Sequence, residues 1–361
     1  MEDWMIVIGV DASKRTHTLV AVDGIGRQLA ERTVVTSSEG HLEAVAWAAQ
    51  WDDVLFAIED CRHLTRRLEG DLLRAGHRVV RVPTRLMAGS RRSSRQPGKS
   101  DPIDAAAVAR AALREPDLPV ARLDGPAREV KLLSDHRRDL VAERTRLVNR
   151  LRWHVHELDP ELEVRPRGLS RFRVIDALEV ALSQFDGIVV RIARDLLAQC
   201  RILTVRINEL GRELRTLVRD LAPSLLAIPG CGPLSAAVLL GETADAQRFR
   251  SKDAYARFNG TAPIPVWSGS ERVRLNRGGN RDVNAALHTI AVTQGRGFGD
   301  GKRYLAKQLA AGRTRTEALR LLRRRISNRV FRALLADTVT NAQPHVEPVH
   351  GDAPGSSHQA A

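Results

Sequence analysis

Within the first 115 residues, five short β-rich runs and three helical stretches follow one another in an order that few folds accommodate. Residues 5–10 (MIVIGV) are an apolar, β-branched run that reads as a buried strand ending at Asp11. Residues 17–23 and 27–36 read as two more strands, separated by the turn-forming Gly24-Ile25-Gly26. Ser38 is placed to cap a helix to about Trp51, with Glu39 and Glu43 near its positive end. A fourth strand, 54–58, stops at Glu59; residues 62–75 read as a helix and 78–82 as a fifth strand closed by Pro83. After an Arg- and Ser-rich stretch (90–99), a helix runs from about Asp101 to Leu113. A sheet with a meander at one end and crossover helices afterwards produces this order, so the expectation is an α/β domain over 1–125.

The pattern then changes. Leu133, Leu140 and Leu147 are seven apart, as are Arg144, Leu151 and Leu158. Further on, Leu203, Leu210 and Leu217 interleave with Ile207, Leu214 and Leu221 in the 3-4 spacing of a coiled-coil seam. Pro160, Pro166 and Gly168 break the first helix between Asp159 and Arg173. Residues 126–222 are thus helical arms that turn back on each other or dimerise; periodicity alone equally allows a plain helical bundle. Residues 223–340 read as a mostly α domain. It ends in a helix from Thr316 to Thr338 carrying Arg320, Arg323, Arg324, Arg325, Arg329 and Arg332. Residues 341–361 have no apolar period and are expected to be a disordered tail.

Lys and Arg number 57 against 43 Asp and Glu, a net charge of +14, which calls for a polyanionic partner. No uncharged apolar run approaches the 18 or so residues of a spanning helix, so no membrane role is expected. An acidic start without a basic n-region argues against secretion. Cys61, Cys200 and Cys231 are too scattered for a zinc ribbon or a disulfide framework. Aromatic residues are only 4%, which disfavours a surface that grips single strands by stacking. Duplex or structured nucleic acid in the cytoplasm, at the nucleoid, is the expected setting.

Four acids stand at informative places. Asp11 and Glu59 end the first and fourth strands, and Asp101 and Asp104 share one face of a helix start. If those strands are neighbours and the helix crosses the sheet, all four converge. Crowded carboxylates then need divalent cations, and oxygen ligands favour Mg²⁺ or Mn²⁺. Two such ions can stabilise the attacking and leaving oxygens of a phosphoryl displacement. Taken singly, each acid has a plain use, as a turn former, a helix-start charge or a solvated group.

Gly9-Val10-Asp11-Ala12-Ser13-Lys14, Ala57-Ile58-Glu59 and Lys99-Ser100-Asp101-Pro102-Ile103-Asp104-Ala105 resemble the signature of the DEDD-type insertion-sequence transposases. The N-terminal domain of that family is similar to RuvC, a junction resolvase of RNase H-like fold. The resemblance implies that Asp11, Glu59, Asp101 and Asp104 hold catalytic magnesium, with Lys99 and Ser100 at the edge of the site.

Residues 225–242 (LLAIPGCGPLSAAVLLGE) place Gly230 and Gly232 in a tight turn before a helix, where exposed backbone N–H groups suit a phosphate. The stretch looks like a helix-hairpin-helix, although a tight turn between core helices has the same letters. Cys231 lacks a partner base and is assigned to packing. Next come Trp267-Ser268-Gly269-Ser270, then Arg277-Gly278-Gly279-Asn280-Arg281 and Asn284, a loop serine followed by phosphate-binding types. From the residues alone that serine is an ordinary loop hydroxyl as readily as a nucleophile.

Residues 228–288 resemble the C-terminal domain of the same DEDD family, whose Ser-Gly serine becomes joined to DNA; the resemblance assigns that role to Ser268. Ser270 offers a second hydroxyl, and Trp267 stands where the family more often has a small or polar residue. Arg277, Asn280, Arg281, Asn284 and the trio Arg323, Arg324 and Arg325 are the candidate backbone contacts. The family further implies donor and target DNA, a structured guide RNA encoded by the element, and a homodimer or homotetramer. Two other functions fit some of these residues: a junction nuclease using water alone, which leaves the Ser268 block idle, and a non-catalytic nucleic-acid-binding repressor.

Overall fold

The computed structural model describes residues 5–84, 86, 100–115, 118–162, 164, 167–268, 270–276, 278–297 and 299–342. Arg277, the whole Arg- and Ser-rich stretch 90–99 with Lys99, and nearly all of the expected tail lie outside them. The chain divides into two compact units, Met1–Gly125 and Pro126–Ala361.

In the first unit β1 (Ile6–Ala12), β2 (Thr16–Val22), β3 (Gln28–Val35), β4 (Val54–Glu59) and β5 (Arg78–Val82) form one sheet in the order β3-β2-β1-β4-β5. The first three strands are an antiparallel meander, and β4 and β5 join β1 in parallel through helical crossovers. This is the α/β sheet that the element order requires. Central β1 and β4 are buried on both faces, which explains their nearly unbroken apolar runs. On one face α1 (Ser38–Ala48) and α2 (Arg62–Arg74) flank a core containing Ile8, Val10, Leu19, Phe56, Ile58, Leu68 and Leu72. The cap of α1 is Ser37, not the expected Ser38: its hydroxyl accepts from Gly40 N at 3.2 Å. Either serine fits the sequence pattern, and only the backbone angle at the helix entry selects between them.

The opposite face is covered by α3 (Asp101–Arg114), whose small side chains Ala105, Ala106, Ala109 and Ala111 pack on Val7, Val20, Ala57 and Val82. Small residues let this helix lie close to the strands. The closest approach is at Gly9, where a Cβ would stand 2.0 Å from the Ala105 carbonyl oxygen and 2.6 Å from Ala109 N.

The second unit is mostly helical. Two long helices, α4 (Pro126–Leu158) and α6 (Ile188–Leu221), run antiparallel: Arg137 Nε donates to the Ile207 carbonyl at 3.2 Å, and Arg144 Nη1 to Thr204 Oγ1 at 3.1 Å. Their far end closes with α5 (Phe172–Leu182) around Leu151, Val155, Ile175, Leu197 and Cys200. Their near end joins α7 (Pro223–Leu226), α8 (Pro233–Thr243), α9 (Lys252–Phe258), α10 (Arg281–Arg296), α11 (Asp300–Ala310) and α12 (Arg315–Ala342). Leu214, Val218, Leu239, Tyr255, Leu287, Ile290, Ile326 and Val330 make the common core there. Ser268, read from sequence as a loop serine, ends a strand: residues 264–274 form a two-stranded hairpin of β6 (Ile264–Ser268) and β7 (Ser270–Arg274). Pro265 and the glycine in that stretch mask the strand pattern, and pairing supplies what local propensity does not.

Candidate functional site

In the first unit the register fixes where the acids stand. Val10 pairs with Ile58 across the parallel strands β1 and β4, so Asp11 and Glu59 are the next residues on neighbouring strands. Side chains alternate along a strand, which puts Asp11 on the face of Gly9 and Glu59 on the face of Ala57. Both belong to the α3 side of the sheet. Asp60 is on the other side, within electrostatic reach of Arg81.

The direction of α3 completes the placement. Gly9 sits under Ala105 and Ala109, while Arg110 Nε donates to the Gly26 carbonyl at 3.0 Å. Gly26 lies beyond the end of β2, beside the start of β1, since Val22 pairs with Val7. The helix therefore runs against β1, and its first turn lies toward the end of the sheet that carries Asp11 and Glu59. That turn holds Asp101, exposed, and Asp104, only 5% exposed, after an N-cap Ser100 whose carbonyl accepts from Asp104 N at 3.0 Å. The positive end of a helix dipole favours negative charge there.

Burial first, then the carboxylates of Glu59 and Asp11, push the Cys61 thiol up to about 11. Two of the four acids thus act on one neighbouring group, and the thiol stays protonated at neutral pH. All four candidate groups are carboxylates, the hard oxygen donors that Mg²⁺ or Mn²⁺ prefer. Among the described residues, however, no three His, Cys, Asp or Glu side chains stand close enough to hold a metal ion together. The donor chemistry fits such an ion, and the arrangement is that of a strand-end pair with a helix start at the same end of the sheet.

In the second unit the Ser268 block is set by the hairpin. Ser268 pairs with Ser270 at its tip, and Ile264 with Arg274 at its base. The base is tied to the start of α10. Asn280 Oδ1 caps that helix, accepting from Val283 N at 2.9 Å, while its Nδ2 donates to Glu242 at 2.7 Å. Asn284 Nδ2 donates to the Asn259 carbonyl at 2.7 Å, and its Oδ1 accepts from Arg323 Nη1 at 2.8 Å. Asn259 itself is fully buried and donates to Ser327 Oγ at 2.8 Å. Arg281, Asn284 and Arg323 come together, and both amide ends of Asn280 and of Asn284 already have protein partners.

The rest of the arginine trio separates. Arg324 pairs with Asp253, and the Arg325 guanidinium lies 4.4 Å from the centroid of the Tyr304 ring. The turn before α8 also divides: Gly230, at φ +79°, packs against the Ile290 carbonyl and Thr293, whereas Gly232 faces open space. Cys231 is buried and its thiol is pushed up to about 12 by burial, as expected of a packing residue. Tyr255 is fully buried against Phe331 and Thr243, which excludes it as an attacking group. Arg320, named from sequence only as one arginine of the last helix, stands near Arg323, and so does His288, which sequence reasoning missed because it lies on another helix, 35 residues before Arg323.

A transposase family model of the DEDD type, of the IS110 group, matches residues 8–160, and a second, described as "Transposase IS116/IS110/IS902 family", matches residues 222–303. An uncharacterized 44.8 kDa protein of insertion element IS116 from Streptomyces clavuligerus is 28% identical, over 92% of this chain and 95% of its own length. One of insertion element IS110 from Streptomyces coelicolor is also 28% identical, over 93% and 95%. The transposase of element IS1111A from Coxiella burnetii is 26% identical over 79% and 76%. Among solved structures, RuvC from T. thermophilus with a Holliday-junction substrate is 17% identical, covering 30% of this chain and 91% of that one, with a TM-score of 0.25. No helix of the described residues is long and apolar enough to cross a membrane. Two transposase models matched in order along the chain, and relatives aligned over nearly their whole length, lead to one conclusion: the chain is a DNA transposase, similar to the insertion-sequence transposases of the IS116/IS110/IS902 group.

Proposed function

We propose that this transposase cuts and rejoins DNA strands through a covalent serine–DNA intermediate, with Asp11, Glu59, Asp101 and Asp104 as the metal-holding acids and Ser268 as the nucleophile. The observation that carries the reading is the adjacent register of Asp11 and Glu59, on the face and at the end of the sheet where α3 begins with Asp101 and Asp104. When bound there, Mg²⁺ or Mn²⁺ supplies charge stabilisation for the leaving 3′ oxygen. The Ser268 hydroxyl oxygen forms a bond to phosphorus as the bond from phosphorus to the 3′ oxygen breaks, and the hydroxyl proton ends on the released 3′ oxygen. A different 3′ hydroxyl reverses the step and frees the serine. Lys99, Ser100, Gly232 and Arg277 are the further contacts assigned to nucleic-acid backbone.

A structured RNA of the element selects the sites by pairing, in keeping with a charge of +14 and few aromatics. The acids and the serine belong to different units, so a homodimer or homotetramer is the expected working form. The test is a denaturing gel of protein, element RNA, Mg²⁺ and labelled donor and target DNA. A protein–DNA adduct lost in Ser268→Ala and in Asp11→Asn, and kept in Ser270→Ala, is the expected result. An adduct lost only in Ser270→Ala moves the nucleophile. Cleavage that survives both serine changes and disappears in Asp11→Asn makes the chain a water-using nuclease instead.

A further inference from the structure

At the base of the β6–β7 hairpin a cleft of about 610 Å³ opens between the start of α10 and the first turns of α12. Its lining includes Arg281, His288, Arg320 and Arg323 over a floor of Gly260 and Gly279, and no carboxylate is among the lining residues. The floor is bare backbone by necessity. Gly260 has φ +73°, and a Cβ on Gly279 would stand 2.3 Å from Gly260 N.

Three features mark the cleft as incomplete without an anion. Arg323 is anchored through Asn284, and its buried Nε has no partner among the described residues. Burial, and then the charge of Arg320, hold the Arg323 guanidinium below its usual range. Burial and Arg323 likewise lower His288, which leaves it neutral at pH 7 and able to donate one hydrogen bond. Planar guanidiniums in a fixed setting match the oxygens of a phosphate bidentately, and the established partner of a transposase is DNA.

We propose that this cleft seats one phosphodiester of a nucleic-acid backbone, held by Arg281, Arg320 and Arg323. It is a different phosphate from the one attacked at the hairpin tip. Four residue steps separate the Ile264–Arg274 pair from the Ser268–Ser270 pair, about 13 Å at the rise of an extended strand. The seat therefore grips the strand several nucleotides from the reacting bond. It rests on the family's action on DNA and is independent of the metal and serine assignments.

Full-length protein is titrated, without divalent cation, against a fluorescent 20-base-pair DNA duplex and an RNA duplex of the same sequence over a KCl series. Arg320→Gln is expected to weaken binding about tenfold and to lower the slope of log K against log salt by about 0.9, the loss of one phosphate contact. Arg219→Gln, an exposed arginine at the end of α6, should change neither by a comparable amount. An effect on the DNA duplex alone assigns the seat to DNA, on the RNA duplex alone to RNA, and on both to either backbone. Among the described residues Arg320 forms no ion pair, and it feels both the repulsion of Arg323 and the attraction of Glu317, so Arg320→Gln should melt near the wild-type temperature. Unchanged affinity and slope on both duplexes, for Arg320→Gln and Arg281→Gln alike, overturn the proposal. So does a lowered melting temperature for Arg320→Gln, which would mean that the arginine is structural.

Discussion

Replacing Gly9 with alanine probes the proposed convergence of Asp11, Glu59, Asp101 and Asp104 in the first unit. The added Cβ would lie 2.0 Å from Ala105 O, 2.6 Å from Ala109 N and 2.9 Å from Ala109 Cβ, all on α3 and mostly backbone. No side chain can rotate away, so the helix itself must lift by about 1 Å, an overpacking that costs about 1–3 kcal/mol. For a unit of this size that is a fall in melting temperature of roughly 4–12 °C. The same lift carries Asp101 and Asp104 away from Asp11 and Glu59, and a misplacement of about 1 Å typically costs about 10²-fold in rate. Differential scanning fluorimetry and Mg²⁺-dependent cleavage of labelled donor DNA, with element RNA present, read the two effects. Gly76→Ala is the control: its φ of +87° penalises a side chain, yet nothing lies within 4 Å. It should lower stability and spare cleavage. If Gly9→Ala melts and cleaves like wild type, α3 is not seated on β1, and the convergence of the four acids has no basis.

Two further outcomes follow from buried polar groups. His17 is 1% exposed, stacked on His41, and held down to about 4 by burial and then by His41. Its folded value lies below the unfolded 6.5, so its contribution is complete above pH 6.5 and fades as pH falls toward 4, by up to about 3 kcal/mol. Melting temperatures at pH 7 and 5 should differ more for wild type than for His17→Leu; parallel curves contradict this. Asn259→Ala removes the bonds to Ser327 and Thr261 inside the second unit and should cost about 3 kcal/mol by urea unfolding. A loss below about 1 kcal/mol would mean that water replaces the amide without penalty.

The strand and helix order of the first unit was legible because period-2 and continuous apolar runs survive in a buried sheet. So was the meeting of Asp11 with Glu59, since parallel neighbours place their ends together. What the letters hide is partner choice. Arg323, Arg324 and Arg325 look equivalent along the chain, yet one is tethered to Asn284, one pairs with Asp253 and one covers Tyr304. The hairpin at 264–274 was hidden for a related reason, because two strands of five residues, one holding Pro265, are stable only with each other and with the fold behind them. Asn280 looked like a ligand for phosphate and is instead spent on a cap and on Glu242. Long-range pairing decides such roles, and a single sequence carries no record of it.

The antiparallel helices α4 and α6 are each about 50 Å long at the usual rise of 1.5 Å per residue. Two apolar clusters lie toward their ends, around Val130, Leu214 and Val218 at one and Leu151, Val155 and Cys200 at the other, with Ile207 and Leu210 buried between them. Between them Arg137 and Arg144 bond across to Ile207 and Thr204. A rod held by large apolar clusters at both ends, and in its middle by fewer apolar side chains and two side-chain hydrogen bonds, flexes there first. Amide exchange should accordingly be fastest in that waist, and the far tip can sway as a body without losing its own packing.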